Sequence, residues 1–169
     1  MLNKKSIFNF VYAIALVGAI LSCVGILNEF LNIAQLYATY VVNTVELTKA
    51  RYFEPFVFYL LAFLVSAFAV TMLVLHLFGM LKLNKRTVDI ILLSACAVLL
   101  IMSFVIVFVL RNSSSSSKLY TMPYFNYLVY YTFRSGVMSF VANMGILLLC
   151  HLVEAKSEKA EPEAFWEEK

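Results

Sequence analysis

The chain has 169 residues, 63% of them hydrophobic and 14% charged, with a formal net charge of +3. Water-soluble domains are nearer half apolar and a quarter charged, and one soluble core of this length cannot enclose so much apolar surface. The basic residues form no patch interleaved with aromatics, which sets nucleic acid aside and leaves the lipid bilayer as the natural surrounding.

Lys4 and Lys5 precede a first apolar run, residues 7–27. About 20 apolar residues suffice to cross ~30 Å of hydrocarbon, so this run predicts a first membrane span. A basic start before an apolar core also describes a signal sequence, and Ile20-Leu21-Ser22-Cys23 approaches a lipoprotein cleavage box. Apolarity continues past Cys23, and the expectation is an uncleaved signal anchor. Residues 28–54 contain neither Gly nor Pro, and Phe30, Ile33, Tyr37, Tyr40 and Val41 recur at helical spacing. The first helix is therefore expected to continue over at least the first half of this segment. Pro55 suits the first turn of a second helix, whose span is residues 56–81.

Residues 82–86 read as a tight basic connection. Thr87 is expected to cap the third helix, and Asp89 to fall in its first turn, where a negative charge suits the helix dipole. The third span, residues 88–110, is almost uniformly Leu, Ile, Val and Phe. A second outer loop covers residues 111–125, with the serine run 113–117 as a flexible tether. The fourth span, residues 127–152, follows a cluster of tyrosines and closes on Cys150 and His151. Residues 154–169, rich in Glu and Lys, read as a solvated helix extension fading into disorder. Cys23, Cys96 and Cys150 each sit inside an apolar run, so they read as small hydrophobes and not as a disulfide or metal framework.

The reading is an all-α polytopic membrane protein: a four-span up-down bundle over residues 1–153 with a charged cytoplasmic tail. Lys4, Lys5, Lys82, Lys85, Arg86, Lys156 and Lys159 fall on one side and Lys49, Arg51, Arg111 and Lys118 on the other. That bias puts both termini in the cytoplasm, most naturally at the cell membrane. The layout of two outer loops, a tiny inner turn and both ends inside resembles that of tetraspan families such as the claudins and the MARVEL proteins. The resemblance is one of layout: residues 28–54 have neither the tryptophan nor the cysteine pair of a claudin first loop.

In lipid, helices associate through small residues and interhelical hydrogen bonds. The packing faces are therefore expected along Ala15, Gly18, Ser22, Gly25 and Glu29 in the first span and Ala62, Ser66, Ala69 and His76 in the second. In the fourth they run along Thr132, Ser135, Ser139, Asn143 and Cys150. The third span has fewer such residues and is expected to be the most lipid-exposed. A sharper alternative lines a pore or groove with Ser22, Ser66, Ser139 and Asn143, although hydroxyls also bond their own helix backbone.

An intramembrane charge costs ~2.5–3.5 kcal/mol at a helix centre. Glu29 and Arg134 agree in sign and depth, which makes them a candidate ion pair, with Arg134 snorkelling alone as the competing reading. His76, Asp89 and His151 fall at similar depth near the inner surface, a candidate polar cluster. Their scatter over three helices lacks metal-ligand spacing, and a histidine bonded to a carboxylate is the expected arrangement. There is no phosphate loop and no paired-histidine helix turn, and Asp89 is the only aspartate. No catalytic residue, metal or cofactor is assigned. These features point to a non-enzymatic accessory, scaffold or assembly subunit whose partners are lipid and other membrane subunits or further copies of itself. An oligomeric channel or small-solute transporter is the alternative.

Overall fold

The computed structural model describes residues 4–43, 46–115 and 123–167, with side chains at 6–35, 38, 55–106 and 131–154. It is all-helical: α1 (Lys4–Asn43), α2 (Glu46–Leu77), α3 (Lys85–Ser115) and α4 (Pro123–Glu167). Each carries a segment long and apolar enough to cross a membrane: Ser6–Gln35, Pro55–Leu77, Lys85–Ile106 and Tyr131–Glu154. The helices form an up-down bundle in which α1 packs on α2 and α4, and α3 packs on the same two. Among the described residues α1 and α3 stand at opposite corners without contact, while α2 and α4 meet across the other diagonal.

The buried positions explain this arrangement. On α2, Tyr59, Ala62, Ser66, Ala69 and Leu73 are buried, at alternating steps of three and four. On α4, Phe133, Val137, Phe140, Met144, Leu147 and His151 keep the same alternation. Such spacing turns one seam of each helix toward its neighbours over many turns. Small residues on α1 and α2, among them Ala15, Ala19, Ala62 and Ala69, let backbones approach. Larger ones on α3 and α4, including Leu92, Leu99, Ile106, Phe133 and Phe140, fill the centre and are fully buried.

The helix ends depart from the sequence reading. The first helix does continue, to Asn43, but α2 already begins at Glu46, so Pro55 lies inside a helix and not in its first turn. Proline there removes one backbone hydrogen bond, yet Pro55 is fully buried, and packing holds the helix through it. At its other end α2 stops at Leu77, four residues short of the expected 81. Gly79 adopts φ +69°, its N–H bonds to the His76 carbonyl and the Met80 N–H to the Leu75 carbonyl, both at 3.0 Å. This pair of bonds is a Schellman closure, which a left-handed glycine permits.

Asn84, and not Thr87, caps α3: its carbonyl accepts from Thr87 N–H (2.8 Å) and its side-chain oxygen from Arg86 N–H (3.3 Å). Asp89 consequently falls one turn deeper than expected, beyond the first turn. At its far end α3 reaches Ser115, so the first serines of the expected tether are helical, while residues 116–122 lie outside the described ones. Pro123 opens α4, where a missing N–H costs nothing. The helix then runs through the charged tail to Glu167.

The expectation that the third span is the most lipid-exposed is overturned. In its most apolar window 33% of residues are buried, against 17% for α1. A uniformly apolar sequence hides which of its faces is interior, and here bulk, not polarity, marks it.

Candidate functional site

The polar side chains within the spans gather in three layers. At the α2–α3 end, α4 presents His151, buried to 6% exposure among three helices. Its Nδ1 lies 2.6 Å from Asp89 Oδ1 on α3, and its Nε2 lies 3.2 Å from the Tyr12 hydroxyl on α1. The Tyr12 ring also stacks on the imidazole, centroids 5.6 Å apart and planes 27° off parallel. An ionised carboxylate only accepts, so Nδ1 carries the proton and donates to Asp89. In the neutral ring Nε2 is then an acceptor, and the Tyr12 O–H donates to it. The bond to Asp89 thus fixes the tautomer that receives Tyr12. One turn further out, Lys85 and Glu154 pair at 2.5 Å, again joining α3 to α4.

Of the three residues expected at this end, Asp89 and His151 lie together and His76 lies apart. His76 follows the buried stripe of α2, but among the described residues its buried Nδ1 has no hydrogen-bond partner, and it joins neither Asp89 nor His151. Among the described residues no group of three or more His, Cys, Asp and Glu is disposed to hold a metal ion. Tyr12 was not singled out by sequence. The available signal was a hydroxyl-bearing ring inside the first apolar run at the depth of His151.

The middle layer joins α1 to α4. Ser22 donates to the carbonyl of Gly18 on its own helix (2.8 Å), which leaves Ser139 to donate to Ser22 at 2.9 Å. Asn143 donates from Nδ2 to the Ser139 carbonyl at 2.8 Å, and its amide lies directly over Gly18. On the α2 side the hydroxyl of Ser66, fully buried, points to the Phe63 carbonyl (3.0 Å) and Cys23 Sγ (3.5 Å). Gly18, Ser22, Ser66, Ser139 and Asn143 therefore lie at helix contacts. Gly25 and Ser135 do not: both are exposed, and a Cβ built on Gly25 meets nothing within 4 Å. The interior seam of α1 is Ala15, Ala19, Cys23 and Ile26, and the glycine and serine stripe lies on its flank.

The third layer lies at the opposite end. The buried Tyr59 of α2 bonds Thr132 of α4 at 2.6 Å and meets Phe133 edge-on at 5.0 Å. Glu29 is half-buried near this tyrosine, whereas Arg134 is exposed. Lys85 pairs with Glu154 and His151 bonds Asp89, while among the described residues Glu29 is not joined to Arg134. Phe133 takes the interior direction of α4, and the next residue points about 100° away from it.

Comparison with protein-family models, with curated proteins and with solved structures gives no match. The fold itself defines the class: an all-α bundle of four membrane-spanning helices whose polar groups tie the helices together.

Proposed function

We propose that this chain is a non-catalytic, multi-pass integral membrane protein that serves as an accessory, scaffold or assembly subunit of a membrane complex. One observation carries the reading. The hydroxyl groups that would line a solute path are engaged between helices or with their own backbone, as at Ser22–Ser139, Ser66–Phe63 and Tyr59–Thr132. Meanwhile Tyr59, Leu73, Leu99, Phe133, Phe140 and Met144 are fully buried in the space between the helices. Such an interior favours a rigid platform over a conduit. The lysine and arginine bias supports placing both termini and the 78–84 connection in the cytoplasm, with the chain in the cell membrane.

An oligomeric channel or small-solute transporter is the competing reading, and it requires a path between copies. Purification in mild detergent, followed by reconstitution into vesicles, tests both. A second polypeptide in stoichiometric amount, with solute flux no higher than in empty vesicles, is the expected result. Flux well above that background would replace the subunit with the channel.

A further inference from the structure

Asn143 sits at the middle of the Tyr131–Glu154 segment, and Ser22 near the middle of Ser6–Gln35. Their shared flank is open. Ser135, Ser139 and Ala142 are exposed, and Asn143 and Ser22 are half-exposed. One amide N–H of Asn143 donates to the Ser139 carbonyl. Among the described residues its other N–H and its Oδ1 take part in no further hydrogen bond. At this depth lipid tails supply neither donors nor acceptors, and a polar group left unbonded there is costly. The small side chains around it, Ser135, Ser139 and Ala142, lie along one exposed stripe of α4 and admit close approach of another helix.

An amide is donor and acceptor at once, so it is complementary to itself. A two-fold axis passing beside it satisfies both amides with one kind of contact, the arrangement of an isologous dimer. We propose that a second copy of this chain docks on the exposed α1–α4 flank, with the two Asn143 side chains hydrogen-bonded to each other across a two-fold axis. The proposal rests on the subunit reading above and names one of its partners. Ala142 and Ser139 of each copy then line the contact.

The test uses the full chain with Cys23, Cys96 and Cys150 changed to alanine and a single Lys82→Cys for labelling. Donor- and acceptor-labelled copies are mixed in phosphatidylcholine vesicles, and energy transfer is followed as the protein-to-lipid ratio is lowered. The half-point should shift about tenfold toward higher density in Asn143→Ala, the size expected for a pair of interhelical hydrogen bonds. Ala142→Leu, a change at an exposed position that leaves the bundle interior untouched, should do the same, while Phe104→Ala on α3 should not. Energy transfer absent at every density, or unchanged in both α4 variants, would overturn the dimer. A chain that stays monomeric yet holds a different polypeptide in stoichiometric amount overturns this proposal and leaves the subunit reading standing. An α4-dependent dimer that conducts solute supports the dimer and overturns that reading.

Discussion

His151 carries three jobs at one position: it fills the seam of α4, donates to Asp89 and accepts from Tyr12. Its removal therefore differs in kind from removal of a partner. Tyr12→Phe keeps the stacked ring and loses one hydrogen bond, which should cost about 0.5–1.5 kcal/mol. His151→Leu leaves the Asp89 carboxylate facing an apolar side chain, and should cost about 2–3 kcal/mol because a stranded acceptor loses more than a bond. Asp89→Leu combined with His151→Leu should recover part of that loss, since no charge remains to strand. Unfolding of purified protein in detergent ranks the variants. Equal losses for Tyr12→Phe and His151→Leu, or strictly additive losses in the double change, would mean that the three side chains touch without coupling.

At the scale of the helix, residue type proved a good guide to which spans exist and a poorer one to which way they face. Apolar length alone identifies all four helices, and the α2 seam from Ala62 to Leu73 is legible because its small residues keep a regular step. On α1 the small residues Ala15, Gly18, Ser22 and Gly25 suggest one stripe, yet of these only Ala15 is buried, and the interior runs on through Ala19, Cys23 and Ile26 beside it. Alanine and isoleucine are too ordinary in an apolar run to declare a face. Gly18 and Gly25, alike in sequence, are opposite in surroundings: a Cβ at Gly18 collides with the Asn143 amide, and one at Gly25 meets open space. Gly18→Leu should force α1 from α4 and cost about 1–3 kcal/mol, the usual penalty of overpacking. Gly25→Leu should be neutral within about 0.5 kcal/mol, or slightly stabilising because glycine is a poor helix former. Melting of the two variants in the same detergent checks the difference, and a Gly25 variant as damaged as the Gly18 variant would show that a hidden neighbour covers that face. The Asn84 cap and the missing Glu29–Arg134 pair were beyond reach of sequence for a related reason: each turns on a helix start or rotation displaced by a residue or more.

For the whole molecule, the decisive contrast is between a filled interior and a wet one, because the same serines and asparagine serve either. Cys23 lies mid-span, buried to 8% exposure beside the fully buried Ser66, so nature has placed a thiol next to the site where a lumen would run. A thiol reacts with a water-borne charged reagent only where water and the reagent can reach it. A packed apolar core admits neither. Wild-type protein in vesicles should therefore leave Cys23 unmodified by a small charged thiosulfonate, and Ser66→Cys should be equally inert. Two further positions serve as references: Lys82→Cys in the exposed α2–α3 connection should react fully once the reagent reaches the cytoplasmic side. Ser115→Cys at the far end of α3 should react with an impermeant reagent in intact cells, as the lysine and arginine bias requires. Labelling of Ser115→Cys only after lysis would reverse the orientation. Fast modification of Cys23 or Ser66→Cys from either side would show that water threads the bundle, and would return Ser22, Ser66, Ser139 and Asn143 to the wall of a solute path.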